Sequence, residues 1–178
     1  MNRQEVKQMI TNMAKSKGLS DTEVAFLLAI AEKESGFDPN AKNPDSSASG
    51  VFQYLTKDTK NLKSTWTLTG ERGYREDLNA SPFDPEANIE TMINQYIKEI
   101  KPQVNKKLKI EGLGFYDNPE RTLDLIYKYH HDGSFKTPDS LEYIHSLPKL
   151  HEYFEKYKPN DTPSSNTGSV SYTHLTLP

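Results

Sequence analysis

Apolar residues recur at helical spacing in several stretches of the chain. One stretch follows Asp84 and Pro85, a cap residue and then proline at the first helical position. Another follows Ser20 and Glu23, which are typical of a capping box. The apolar stripes are Val6, Met9, Ile10 and Met13; Val24, Leu27, Leu28 and Ala31; Ile89, Met92, Ile93, Tyr96, Ile97 and Ile100. The stripe after Pro85 is the clearest of them, and we expect its helix to be central.

The second half of the chain continues this pattern. Asn118 and Pro119 repeat the start signal of a helix that runs to Gly133. Two short helices fit 139–147 and 149–158, separated by Pro148. A brief helix capped by Thr56 fits Lys57–Leu62, whereas Trp66–Pro82 has no clean period and predicts a long loop. No strand-like alternation of useful length occurs, so the sequence predicts a mainly α fold.

Composition narrows the class of protein. The chain has 178 residues, a net charge of −3 and no cysteine. It therefore suits one domain, lacks the basic footprint of a nucleic-acid-binding protein, and has neither disulfides nor thiolate metal sites. No apolar run matches a signal peptide or a membrane span.

The C-terminal part differs in character from the rest. We expect a folded domain over 1–158 and a flexible Pro/Ser/Asn linker over 159–169, which suggests that a further C-terminal module follows in the natural protein. Residues 170–178 resemble the conceptual translation of a sequencing adaptor, so we expect them to be a non-native tail; an unstructured natural tail is the alternative.

Glu34 is the first candidate for chemistry. It follows Leu27 by seven positions, so at about 100° per residue its side chain points within about 20° of the buried stripe. Gly36 and Pro39 end the predicted helix and place Glu34 in the last turn. Apolar surroundings and the carbonyls of a helix C-terminus both raise a carboxyl pKa. Glu34 is therefore either a general acid held protonated near neutral pH, or an ordinary last-turn residue whose carboxylate reaches water.

Three ordered blocks of sequence resemble the lytic transglycosylase domain of the SLT type, a lysozyme-like family related to goose-type lysozyme. The first block is Glu34–Ala41 (Glu-Ser-Gly-Phe-Asp-Pro-Asn-Ala), and the second is Ser47–Gln53 (Ser-Ala-Ser-Gly-Val-Phe-Gln), where the family has Gly-Leu-Met-Gln. The third, Asp84–Ile89, matches the family's Asp-Pro-x-x-Asn-Ile helix start. The chain departs from the family at Tyr127–Gly133, which replaces an Ala-Tyr-Asn-Ala-Gly block. The resemblance covers roughly Ser20–Gly133.

The resemblance implies a fold and a reaction. The fold would be a lysozyme-like single domain of several short helices around a central helix, with little or no β structure. The reaction would be non-hydrolytic cleavage of the bond between N-acetylmuramic acid and N-acetylglucosamine in peptidoglycan. Glu34 would serve as the single acid and base, and the product would be a 1,6-anhydromuramic end. No cofactor or metal is implied.

The same resemblance assigns substrate-binding positions. Ser35 would orient Glu34 or the sugar, Gln53 and the backbone near Val51 would hydrogen-bond the sugars, and a tyrosine hydroxyl would reach the site. Either Tyr127 or Tyr129 supplies that hydroxyl, and His130 takes the place of the family's asparagine. Trp66 is a weaker candidate for stacking on a sugar face.

Two other functions are consistent with the sequence. An inverting lysozyme would need a second carboxylate to activate water, and Asp45 is preferred over Asp38 and Asp58 for that role. A non-catalytic wall-binding or phage tail module is the other. As a metal site, His130–Asp132 is disfavoured because neighbouring helical residues point about 100° apart. We expect a monomer that is made in the cytoplasm and acts on the cell wall, as a virion component or after release by lysis.

Overall fold

The computed structural model describes residues 1–57, 62–160 and 162. Its strands β1 (Ala48–Ser49) and β2 (Tyr54–Leu55) form one small antiparallel hairpin. A π-helical turn (Tyr96–Ile100) joins two of the helices without a break. The helices are α1 (Arg3–Ser16), α2 (Asp21–Ser35), α3 (Thr65–Glu71), α4 (Pro85–Gln95), α5 (Lys101–Ile110), α6 (Pro119–Asp132) and α7 (Leu141–Tyr157). The prediction of a mainly α lysozyme-like fold with little β structure is confirmed.

Two helices form the centre of the molecule. In α4, Met92 and Ile93 are buried and the burial continues through the π-helical turn to Ile100, as predicted from the stripe. The other central helix is α2, whose residues Glu23–Ala31 are all buried. The sequence pattern predicted one apolar face for α2, but α1 and α7 pack against it as well. The helix α2 is therefore buried on every side and runs through the core. Its C-terminal end lies at the wall of a cleft.

The ends of α2 are fixed by the residues that the sequence indicated. The Ser20 hydroxyl accepts from the backbone N–H of Glu23, and the Glu23 carboxylate accepts from the N–H of Ser20, which completes the capping box. Gly36 ends the helix in the left-handed conformation at φ +61°. These two caps hold Glu34 in the last turn.

The prediction of two short helices around Pro148 is wrong. The chain forms one helix, α7, with Pro148 inside it. Proline within a helix costs about 3 kcal/mol through a lost hydrogen bond and a clash with the preceding turn. Buried side chains on both sides of the proline offset that cost: Tyr143 precedes it, and Leu150 and Phe154 follow. The Phe154 ring lies 5.2 Å from that of Phe26 in α2. Packing of α7 on α2 therefore stabilises a continuous helix through Pro148.

The prediction that Trp66–Pro82 is entirely a loop is also wrong, because α3 occupies its first part. Ser64 caps α3, and Trp66 is only 8% exposed. The indole Nε1 donates to the Ala80 carbonyl (3.1 Å) and the Arg75 guanidinium lies 3.7 Å from the indole ring. The indole is therefore a core group and is not free to stack on a sugar face.

Three predicted segments lie largely outside the residues that the structure describes. The brief helix over Lys57–Leu62 falls largely on 58–61, outside the described residues. The linker over 159–169 and the tail over 170–178 fall almost wholly outside them too, and both stay predictions. Within the described ranges, no helix has the length and apolar character needed to cross a membrane.

Candidate active site

A cleft of about 620 Å³ opens where α2 ends. It is bounded by the end of α2, the segment from Asn43 through the hairpin, the start of α3, and the junction between α6 and α7. The lining residues are Lys33, Glu34, Asn43, Asp45, Ser46, Ala48, Gln53, Tyr54, Leu55, Thr65, Tyr127, His130, His131 and Glu142. Residues far apart in sequence therefore meet around Glu34.

Glu34 is the most strongly perturbed acid of this cleft. Its side chain is 15% exposed, and burial raises its pKa from an ordinary 4.5 to about 7. The positive charges of Lys33 and His131 oppose that rise, and the negative charge of Glu142 adds to it. At neutral pH the carboxyl group therefore populates both its protonated and its ionised form, which suits a group that donates and then accepts a proton.

His130 approaches Glu34 without forming an ion pair with it. Burial lowers the pKa of His130 to about 4, so the imidazole is neutral at the pH where Glu34 titrates. Its Nε2 lies 2.8 Å from the Phe52 carbonyl. Because a carbonyl oxygen only accepts, Nε2 carries the proton and donates it there. Although Nε2 lies 3.8 Å from Glu34 Oε1, the neutral imidazole places no positive charge beside the carboxyl group. The pKa of Glu34 therefore stays high.

The turn between β1 and β2 presents Gln53 to the cleft. Gln53 has a φ of +53°, and its side-chain amide donates to the carbonyls of Gly50 (2.9 Å) and Ala41 (3.1 Å). Ser35 lies outside the cleft lining, because its hydroxyl donates to the Val51 carbonyl (2.8 Å). Val51 is fully buried. Ser35 and Val51 thus join the end of α2 to this turn and do not face the cleft.

Asn88 was not identified from the sequence as a residue that shapes the site. It is fully buried in α4, accepts from the backbone N–H of Phe52 (2.9 Å) and donates to the Pro82 carbonyl (2.8 Å). Gly50 packs so closely here that a Cβ would lie 2.2 Å from the Pro82 oxygen. The signal in the sequence is a polar residue beside Ile89, within the first turns of an apolar stripe. Its amide ties the turn that carries Gln53 to α4.

The structure brings only one of the two candidate tyrosines to the cleft. Tyr127 lines it, and its ring stacks on that of Tyr143 at 5.9 Å. Burial, and then the nearby charge of Glu34, raise the pKa of Tyr127, so its hydroxyl stays protonated. Tyr129 instead packs against Phe135 (5.4 Å), and burial together with Glu99 raises its pKa to about 12. Tyr129 lies outside the lining of the cleft.

Two further carboxylates line the cleft. Asp45 is exposed, and its backbone N–H donates to Asn43 Oδ1 (2.8 Å). Glu142, in the first turn of α7, has a 79% exposed side chain; sequence reasoning missed it because the fold alone brings α7 beside α2. Asp38 accepts the N–H of Asn40 within its own turn, and Asp58 lies outside the described residues.

Metal ligation finds no support in this arrangement. Among the residues that the structure describes, no group of three or more His, Cys, Asp or Glu side chains is placed to hold a metal ion. His130 and His131 both line the cleft, but each has one ring nitrogen in a hydrogen bond with a different protein group.

Comparison with known proteins identifies the family. The model of the phage tail lysozyme family matches residues 5–146, which is most of the chain. No curated protein and no solved structure matches it significantly. The matched region includes most of α1, all of α2 to α6, the cleft-lining residues and the start of α7. The chain belongs to the phage tail lysozyme family, and it is a lysozyme-like enzyme that degrades peptidoglycan.

Proposed function

We propose that the enzyme is a lytic transglycosylase that cleaves the β-1,4 bond between N-acetylmuramic acid and N-acetylglucosamine, with Glu34 as its single acid and base. The observation that carries this proposal is the position of Glu34 in the wall of the cleft, where its side chain is 15% exposed and burial raises its pKa to about 7. A group that acts first as acid and then as base works best when its pKa lies near the working pH.

The reaction needs no second protein carboxylate. Protonated Glu34 donates to the glycosidic oxygen as the bond from that oxygen to C1 of the muramic residue breaks. The ionised carboxylate then takes the proton of the muramic C6 hydroxyl as O6 bonds to C1. The product is a 1,6-anhydromuramic end, no water is consumed, and Glu34 regains its proton. One carboxyl group therefore completes the cycle.

The cleft offers hydrogen-bonding groups for the sugars beside Glu34. We assign Gln53 and the Tyr127 hydroxyl to substrate binding, because both line the cleft. His130, Ser35 and Val51 contribute by holding the turn between the strands, through the hydrogen bonds to Phe52 and Val51. Tyr129 lies outside the cleft lining and has no part in this scheme.

Hydrolysis is the second candidate, and a specific observation favours it. An inverting hydrolase places a second carboxylate about 6.5–9.5 Å from its acid so that a water fits between them. Asp45 and Glu142 both line the cleft that contains Glu34. A hydrolase would therefore lose its activity on Asp45→Asn or Glu142→Gln, whereas the transglycosylase would retain cleavage in both variants.

Mass spectrometry of digested peptidoglycan tests the proposal directly. A transglycosylase yields muramic ends one water lighter than the reducing ends that a hydrolase yields. We expect the lighter ends with the wild-type protein and no cleavage with Glu34→Gln. Reducing ends would replace the proposal by hydrolysis, and absence of cleavage by the folded wild-type protein would favour a non-catalytic wall-binding module.

The family match also supports a proposal for where the enzyme acts. A phage tail lysozyme meets the cell wall as part of the virion, or after release at lysis. Immunodetection in purified virions separates these two routes, since only the first leaves the protein in the particle.

A further inference from the structure

His131 is held by a charged anchor at the end of α6. Its Nδ1 lies 2.6 Å from Asp132 Oδ1. The other carboxylate oxygen of Asp132 accepts from the Thr137 hydroxyl (2.9 Å) and pairs with the buried ammonium of Lys128. That ammonium also contacts Asp139 (3.1 Å). Although burial acts to raise the pKa of Asp132, hydrogen bonds from Lys128, His131 and Thr137 hold it below its ordinary value, so the anchor is ionised.

The anchor fixes which ring nitrogen faces the cleft. An ionised carboxylate only accepts, so Nδ1 of His131 carries a proton and donates it to Asp132. Nε2 lies on the opposite edge of the ring, 3.8 Å from Glu142 Oε1, which is beyond hydrogen-bond length. The side chain is 29% exposed and lines the cleft with Glu34. Within the described part of the chain, Nε2 has no hydrogen-bond partner.

His130 and His131 differ in which ring nitrogen is hydrogen-bonded to the protein. His130 uses Nε2 to bind the Phe52 carbonyl and is buried. His131 is bound through Nδ1 and leaves Nε2 toward the cleft, beside the Tyr127 ring at 6.0 Å. A side chain with one nitrogen anchored and the other open resembles the oriented imidazoles of binding and catalytic sites, where the partner on the first nitrogen sets the role of the second.

We propose that His131 is a substrate-binding residue whose Nε2 hydrogen-bonds a sugar hydroxyl of the glycan strand beside Glu34. A hydroxyl both donates and accepts, so this contact forms with a neutral or a charged imidazole. The Asp132 anchor holds the ring in place before the strand arrives, so little side-chain entropy is lost on binding. The inference rests on the proposed function only in that the glycan occupies this cleft.

Two substitutions of His131 separate binding from a structural role. In His131→Asn, the shorter amide N–H replaces Nδ1 and keeps the bond to Asp132, but nothing reaches the position of Nε2. In His131→Gln, the longer amide reaches that position and the bond to Asp132 is lost. His145→Asn and His145→Gln are the matched controls, because His145 is exposed on α7 outside the cleft lining.

The measurement is equilibrium binding of soluble oligosaccharides with alternating N-acetylglucosamine and N-acetylmuramic acid. Each variant is made in a Glu34→Gln background, so the strand stays intact. We expect His131→Asn to weaken binding about five- to tenfold, which is the size of one hydrogen bond. We expect His131→Gln to stay within about twofold of the parent, although it melts at a lower temperature than His131→Asn.

The opposite order contradicts the inference. If His131→Gln binds more weakly than His131→Asn, following its lower melting temperature, His131 is only a structural residue. Equal binding by both variants and the parent also overturns it. In either case the release of 1,6-anhydromuramic ends by the wild-type protein shows that the proposed function survives. If the parent binds no glycan and the wild-type protein cleaves none, both proposals fail together.

Discussion

Each end of α2 carries a glutamate whose side chain is largely shielded from solvent. The two glutamates differ in the groups that surround the carboxylate. Glu23, in the first turn, is 3% exposed and contacts the Lys101 ammonium (2.8 Å) and the Tyr96 hydroxyl (2.5 Å). Burial alone would raise its pKa, but the hydrogen bonds and charge of its partners lower it. Glu34, in the last turn, has the neutral His130 as its close neighbour. Burial dominates there, and its pKa rises to about 7.

The comparison shows that burial alone does not set the pKa of a carboxyl group, because hydrogen-bonding and cationic partners can reverse the shift. The same side chain on the same helix is a stable anion where cationic and hydroxyl donors converge, and a poised acid where they are missing. Glu23 therefore belongs to the stability of the fold, since its partners come from the π-helical turn and the start of α5. Glu34 is the acid and base of the reaction that we propose for the cleft. Each of these assignments has a measurable consequence.

The largest expected effect is on activity at Glu34. Replacing it by Gln keeps the shape of the side chain and removes the transferable proton, so clearing of a peptidoglycan suspension should fall at least ~1000-fold. The folded state should persist, as judged by the melting temperature. Glu32→Gln is the matched control, because Glu32 lies in the same last turn but pairs with Lys156 and Tyr157. A comparable loss of clearing activity in Glu32→Gln would contradict the assignment of Glu34 as the acid.

The next effect is on stability at Glu23. Glu23→Gln leaves the partly buried Lys101 without its anion, and should lower the free energy of unfolding by about 2 kcal/mol. Urea denaturation measures this. Activity per folded molecule should remain within about twofold of the wild type, because Glu23 lies outside the cleft lining. A variant that is stable but inactive would contradict the division between the two ends of α2.

The two glutamates should also give stability opposite dependences on pH. Between the ordinary pKa of 4.5 and the folded-state pKa of about 7, folded Glu34 binds a proton that the unfolded chain lacks. The stabilisation of the folded protein by this proton is complete below pH 4.5 and is lost as the pH rises through 7, by at most about 1.4 kcal/mol per pH unit.

Unfolding measurements from pH 5 to 7 reveal that loss. Wild type should become progressively less stable relative to Glu34→Gln across this range. The folded-state pKa of Glu23 is lowered, so its contribution is present above pH 4.5 and is lost as the pH falls through the folded-state pKa. The difference between wild type and Glu23→Gln should therefore stay constant from pH 5 to 7. A constant difference for Glu34→Gln would show that Glu34 is ionised throughout.

The smallest expected effect concerns the charges around Glu34. In the proposed reaction Glu34 donates a proton, so kcat/KM should fall as the pH rises through about 7. Lys33→Gln removes a charge that lowers the pKa, and should move this decline to higher pH. Glu142→Gln removes a charge that raises it, and should move the decline to lower pH. Each shift should be less than about one pH unit and should shrink with added salt. Shifts in the same direction would mean that another group controls the decline.

Local signals in the sequence predicted much of the fold. The capping box at Ser20, the Asp84–Pro85 start and the glycine after α6 act within a few residues, and the helices that they bound are present. The continuation of the chain through Pro148 was not predictable in this way. It depends on the packing of α7 against α2, and residues over a hundred positions apart make that contact. Trp66 was misassigned for the same reason, since Arg75 and Ala80 bury it only in the folded chain.

The residues of the candidate site likewise fall into two groups, those that local sequence signals predict and those that only the fold brings to the cleft. The position of Glu34 followed from helical periodicity and the glycine that ends α2. Glu142 and His131 reach the cleft through the approach of α6 and α7 to the end of α2, which no periodicity encodes. The choice between Tyr127 and Tyr129 was likewise open in the sequence, because residues two positions apart on a helix point in different directions and the fold decides which one faces the cleft.

The turn between β1 and β2 is fastened by side chains from three helices: Ser35 of α2 and His130 of α6 bind its carbonyls, and Asn88 of α4 binds the amide of Phe52. Such a turn cannot close over a ligand like a lid without breaking buried hydrogen bonds. Hydrogen exchange at the Phe52 amide should therefore be slow before any sugar binds, and should change little afterwards. The exposed Asp45 of the cleft lining takes part in none of these hydrogen bonds, so a substitution there should leave the turn in place.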